Sequence, residues 1–238
     1  TTTAVVQITW NLSTDPFCAS PSCSSIYVDP ANGNDVSGNG GPALPFKTLY
    51  KAMTAADSTT TTYIRIARCT DAQGTDARIV DMKSNVVVEG GYVRSTPTST
   101  IWVKSTAAND STALLIGGYD APDNNTRMLV GIRSEGKKGW HLKDLIIKTG
   151  NAAGTSNNGQ GISNYAILIN SNSTNYSISR CKIVTGTATN GNNGGNGSNG
   201  NPGSVGGNGG TGTKTLGICD DNGDQGGGGG GAGGTTTW

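Results

Sequence analysis

Short apolar runs, most of four to six residues and each bounded by Gly, Asn, Asp or Ser, recur from residue 63 onward. They predict strands at 63–67, 85–89, 100–103, 113–116, 128–132, 142–147, 166–169 and 176–184, where Val, Ile and Leu dominate. Several runs are continuously apolar, such as Val86-Val87-Val88 and Leu114-Leu115-Ile116. Strands covered on both faces, as in parallel sheets, read this way, whereas a one-sided antiparallel sheet alternates. Polar residues such as Asn170, Asn172 and Asn175 cluster between runs, where a coil must bend. The pattern predicts an all-β fold, a right-handed parallel β-helix in which each turn of the solenoid buries the one below. A two-sheet sandwich is the competing architecture.

Ahead of these runs the periodicity differs. Phe46, Leu49, Tyr50 and Met53 fall at helical spacing among Ala52, Ala55 and Ala56, predicting a helix over 46–56 that lies across the first turn as a lid. A short strand at 26–28 and a turn-rich stretch at 29–45 precede it. At the front, Val6, Ile8 and Trp10 alternate with Val5, Gln7 and Thr9, which predicts a strand arm outside the coil. At the back, Gly recurs every third residue at 191, 194, 197, 200, 203, 206, 209 and 212, and six glycines follow at 226–231. Collagen shares that period but needs imino acids, and the period-three stretch holds only Pro202. A flexible linker and an ordered, polyproline- or polyglycine-II-like Gly-X-X segment are the two readings of this tract. The organisation expected is an arm and Cys loop at 1–25, the β-helix at 26–186 and the Gly-rich segment at 187–238.

Composition sharpens the class. Charged residues make up 14% of the 238, against about 25% in ordinary domains. Net charge is +1, which gives no electrostatic ground for nucleic acid. No run approaches the ~20 apolar residues of a membrane-spanning helix. A surface rich in hydroxyls and amides fits an extracellular, secreted or cell-surface location. In an oxidising compartment Cys18 and Cys23, which flank Pro21, would close a small disulfide. Cys69 and Cys181 follow apolar runs and read as buried free thiols.

Candidate chemistry is sparse. Asp220, Asn222 and Asp224 stand at alternate positions, as the first oxygen ligands of a calcium loop do, but Gln225 occupies the place of the usual Gly and no Glu closes the loop. Calcium there is the one cofactor considered, with a solvated turn as its alternative. Asp29, Asn32, Asn34 and Asp35 form a second oxygen-rich loop, which Asx-turn hydrogen bonding explains equally well. His141 and Asp144, three apart, would point to opposite faces of one strand. Tyr92 and Tyr119, displayed on Gly-Gly-Tyr turns, with Trp102, could form a platform for sugar rings, or pack as anchors.

Three segments carry a family resemblance. The stretch IYVDPANGNDVSGNGGPALPFKTLYKAM (26–53) resembles the opening of bacterial pectin-lyase-like β-helix surface proteins. VVVEGGYVRS (86–95) and LLIGGYDAP (114–122) resemble their strand-Gly-Gly-Tyr turns, and 139–150 with 165–186 their later turns. The resemblance implies the fold over residues 26–215 but spans lyases, hydrolases, adhesins and inert spacers. Its catalytic members imply clustered Asp side chains with an Arg, Lys or His; the acidic residues of the runs here are isolated in sequence, and no catalytic residue is carried over. The expectation is a non-catalytic structural or adhesive protein, a homo-oligomer or polymer assembled through Val6, Ile8 and Trp10 by strand addition. A polysaccharide-active or polysaccharide-binding protein is the alternative.

Overall fold

Apolar residues in successive segments stack in register, and residues with left-handed backbone turn the chain between segments. A computed structural model describes residues 23–105, 107, 110–120 and 127–208, with the backbone of 6–7. It is an all-β parallel solenoid of about four turns with one helix among the described residues.

β1 (Val6–Gln7) lies ahead of the winding, which begins with β2 (Cys23–Val28) and α1 (Leu49–Ala55), then β3 (Thr61–Ala67), β4 (Thr75–Asp76) and β5 (Val80–Asp81). The next turn holds β6 (Val86–Arg94), β7 (Trp102–Lys104), β8 (Thr112–Ile116), β9 (Gly118–Asp120) and β10 (Met128–Glu135). Then come β11 (His141–Lys143), β12 (Leu145–Lys148) and β13 (Ser163–Asn170), and finally β14 (Ser177–Ser179) and β15 (Lys182–Val184). Three parallel sheets result: β2-β3-β6-β11-β14, β4-β8-β12-β15 and β5-β10-β13. Three strands run antiparallel to these sheets: β7 folds back on β6, β9 on β10, and β1 on β15.

Each sheet points one apolar column inward. Ile26, Ile64, Val88, Leu142 and Ile178 are successive partners in the first sheet. Leu114, Ile147 and Ile183 follow in the second, and Val80, Ile132 and Ile167 in the third. These columns meet in one core, with Trp140 fully buried at its corner and stacked on Tyr176 at 4.8 Å. Burying such a side chain fully is worth about 1.5–3 kcal/mol, and the register repeats that gain at Ile64, Val88, Leu142, Leu114, Ile147, Val80 and Ile132, whereas Ile26, Ile167, Ile178 and Ile183 are partly buried.

Two expected strands were each drawn too long. The runs at 142–147 and 176–184 divide at Asp144 (φ 55) and Arg180 (φ 51), so each run supplies strands to two sheets. An earlier corner uses Asn85 (φ 58), Gly139 (φ 66) and Asn175 (φ 51). Asn, Asp and Gly tolerate this left-handed conformation best, and polar side chains at the bends keep it hydrated. Close winding also demands glycine at several positions: a Cβ at Gly90, for example, would come within 2.5 Å of the Asp144 carbonyl oxygen on the next turn.

The helix starts later than its periodicity predicts. The Thr48 hydroxyl oxygen accepts the Lys51 N–H at 3.2 Å, which fixes Leu49 as the first helical residue. Phe46 instead bridges to Val28. Leu49, Ala52 and Met53 are buried, and α1 packs against β2, β3 and β5.

The chain divides into compact units at 1–192 and 193–238. In the second, space does not demand glycine at positions 194, 195, 197, 200 and 207, where an added Cβ meets nothing within 4 Å. Of these, 194, 197 and 200 belong to the period-three series, and at those three the period does not follow from close approach. No helix among the described residues is long and apolar enough to cross a membrane.

Candidate functional site

The outward residues of the first sheet form a charged and aromatic column beside the core. Tyr27, Arg65, Glu89 and Lys143 are successive partners on this face. Gly91 (φ 77) lets β6 leave the winding and continue into the hairpin with β7. The hairpin register sets Tyr92 opposite Lys104 and Arg94 opposite Trp102, and this brings their side chains onto the column.

Polar partners then consume the charges. Arg65 donates to the Tyr27 hydroxyl at 3.0 Å, and the Tyr92 hydroxyl donates to Glu89 at 2.6 Å. The Lys104 ammonium lies 3.1 Å from Glu89 and 2.7 Å from Asp144. Arg180 holds Asp144 with two hydrogen bonds, at 2.5 and 2.9 Å. Burial opposes ionisation of Asp144, yet Arg180 and Lys104 together outweigh it and hold its carboxyl below the usual range. Burial, and then the bond to Glu89, push the Tyr92 hydroxyl well above its ordinary value.

A second group ties the hairpin to the loop after β2. Arg94 and Asp29, each with a side chain only 4% exposed, pair at 2.8 Å. Asp29 also accepts the N–H groups of Ala31 and Asn32 at 3.1 and 3.0 Å. Arg94 and the Trp102 indole N–H both donate to the Pro42 carbonyl, and Trp102 lies 4.9 Å from Tyr27. Asp35, the other carboxylate of the oxygen-rich loop, accepts from the Lys47 and Thr48 N–H groups and the Thr48 hydroxyl. Asx-turn and cap hydrogen bonding thus accounts for both carboxylates.

Beside this clamp lies a cleft of about 580 Å³, whose walls include Asp29, Arg68, Cys69, Asp71, Tyr92 and Arg94. Its carboxylates are paired: Asp29 with Arg94, and Asp71 with Lys148 at 2.5 Å. Arg68 pairs with Asp110 at 2.6 Å. Burial pushes the Cys69 thiol up to about 12, far from nucleophilic at neutral pH. Hydroxyl and amide groups remain on the walls, a lining suited to polar ligands that bind by hydrogen bonds. Among the described residues, no group of three or more His, Cys, Asp or Glu could hold a metal ion.

No family model, curated protein or solved structure matches this chain.

The residues expected from the sequence are scattered by the fold. Tyr92 is not displayed on a turn: it lies within β6, is 8% exposed and is fixed by Glu89. Trp102 joins it through the hairpin, half-buried. Tyr119 is on the β9–β10 hairpin of another sheet, 40% exposed, with the Arg127 guanidinium 4.0 Å over its ring. The three rings therefore do not make one platform. His141 is paired with the Ser177 hydroxyl at 2.7 Å on the next turn. Asp144, expected only as its opposite-facing neighbour, is a corner residue held by Arg180 and Lys104. Val6 faces Ile183 across β1 and β15, whereas Ile8, Trp10, Cys18, Asp220, Asn222 and Asp224 lie outside the described residues. Cys23 is disulfide-bonded. Arg65, Arg94 and Lys104 are site residues that the sequence reading misses; for Arg94 and Lys104 the signal is the turn-forming STPTST between YVR and IWVK, which marks a hairpin, whereas Arg65 joins through the β3–β6 register.

Cys69 and Cys181 are free and buried, as their apolar surroundings predict, and burial raises Cys181 to about 11. A thiol reagent at pH 8 should therefore label neither in the native protein and both on addition of denaturant. Because both folded values exceed the ordinary 9.0, the stability these thiols contribute is complete below pH 9 and declines as pH rises through 11 to 12. Rapid native labelling would contradict the burial.

Proposed function

We propose that the chain is a non-catalytic structural or adhesive protein outside the cell, a right-handed, pectin-lyase-like bacterial β-helix that assembles with copies of itself. The observation carrying this reading is the closure of the outer face: Arg65, Glu89, Lys104, Asp144 and Arg180 are bound to one another or to ring hydroxyls across successive turns. Such a face stiffens a rod and leaves little reactive charge. The low share of ionised residues and the helix laid against β2, β3 and β5, read as an end lid, agree with a scaffold. Strand addition through the arm supplies the subunit contact.

The cleft favours a second reading, in which the protein binds a neutral, hydroxyl-rich polysaccharide. One experiment separates the readings. The purified full chain is imaged by electron microscopy across a concentration series and incubated with a panel of acidic and neutral polysaccharides, with and without Ca²⁺. Assembly that grows with concentration, with no new reducing or unsaturated ends, is the expected result. Turnover of any polysaccharide, or monomers at every concentration, would overturn the proposal.

A further inference from the structure

The second sheet is parallel throughout its winding, yet its last strand carries an antiparallel partner from the opposite end of the chain. Val6 lies opposite Ile183, and Gln7 opposite Lys182. β15 is the last strand of that sheet, and its outer edge would otherwise present unpaired backbone groups. β1 is not part of the coil that it closes. It reaches β15 only through residues 8–22, whereas β2 begins at the other end of the stack.

We infer that β15 is an acceptor edge and that its occupant is β1 of a second copy, exchanged for the chain's own. This names the contact that the self-assembly reading above requires, and it rests on that reading. The backbone pairs are identical within one chain and between two, so only the linker separates the alternatives. In the first sheet four strand spacings, about 19 Å, separate β2 from β14, the strand that directly precedes β15. A chain of fifteen residues, the number from 8 to 22, can span at most about 50 Å, more than that rise and enough for either the home edge or a neighbour's. A linker of this length gives the home strand an effective concentration of about millimolar, which crowded copies match. Dilute chains therefore close on themselves, and concentrated chains link head to tail. Such contacts are heterologous, and they build rings or open filaments rather than closed two-fold dimers.

Two single variants test it, Gln7→Cys in one preparation and Lys182→Cys in another; Lys182 is exposed, so the fold tolerates the change. The two are mixed, unfolded, refolded at rising protein concentration and oxidised, and products are read on non-reducing gels. A disulfide between positions 7 and 182 can then form only between chains. A crosslinked mixed dimer that rises several-fold from micromolar to millimolar refolding, above the level in unsubstituted chain, is the expected result. The Val6→Cys and Ile183→Cys pair gives the same readout one register position away, and the Gln7→Cys/Lys182→Cys double variant reports the closed form. Crosslinking confined to monomers of the double variant overturns exchange. Absence of crosslinking in every combination overturns the β1–β15 contact itself. Oligomers without mixed crosslinks overturn the inference alone, whereas monomers at every concentration remove the self-assembly reading with it.

Discussion

Replacing Arg94 by Ala lowers the unfolding free energy by about 3–5 kcal/mol, because the change strands a buried carboxylate. The substitution leaves Asp29 with its two backbone N–H donors but without its cation, at a site where both side chains are 4% exposed. It also frees the Ser99 carbonyl and leaves the Pro42 carbonyl with the Trp102 indole N–H alone. The loop that leads from β2 to the helix then keeps only the Trp102 bond as its tether to the β6–β7 hairpin. Urea unfolding followed by circular dichroism measures the loss. Arg94→Lys should recover only part of it, since an ammonium cannot serve Asp29 and both carbonyls in one plane. In an Asp29→Ala/Arg94→Ala double variant the losses should sum to less than the single values, as they do for a coupled pair. A single-variant loss below about 1 kcal/mol would show that the clamp adds nothing beyond an ordinary surface pair.

The core corner responds as strongly. Trp140 is fully buried and lies parallel to the Tyr176 ring, with an 8° angle between planes. Trp140→Ala removes the largest of the fully buried side chains and should cost about 3–5 kcal/mol. Trp140→Phe should cost distinctly less than alanine. It keeps a ring against Tyr176, and the indole N–H that it deletes is buried with no hydrogen-bond partner, so no bond is lost. Equal costs for the two variants, measured by urea unfolding, would mean that the ring stack contributes nothing at this corner.

Much of this fold could be read from the residues, because a parallel coil writes its core as short unbroken apolar runs. Val86-Val87-Val88 and Leu114-Leu115-Ile116 are such runs, and both are strands of the winding. The corners were harder. Lys143-Asp144 and Ser179-Arg180 sit inside otherwise apolar stretches and look like tolerated outward residues, until backbone angle shows that they turn the chain. A signal was available: 139–150 and 175–186 align without a gap, with Gly139 on Asn175 and Asp144 on Arg180. Strands β4 and β5 have only two residues each and fall below any periodicity. The charged column was hidden for another reason. Its members lie far apart in sequence, and only the registers of successive turns place Tyr27, Arg65 and Glu89 side by side.

The stacking of this molecule ignores how much chain separates one turn from the next. Ser25 meets Tyr63, Tyr63 meets Val87, Val87 meets His141 and His141 meets Ser177, so successive turns consume 38, 24, 54 and 36 residues. The surplus is spent outside the coil, above all in the β6–β7 and β9–β10 excursions. Length and surface character can therefore drift at the bends while the spindle inside stays constant, and one interior can carry many different exteriors.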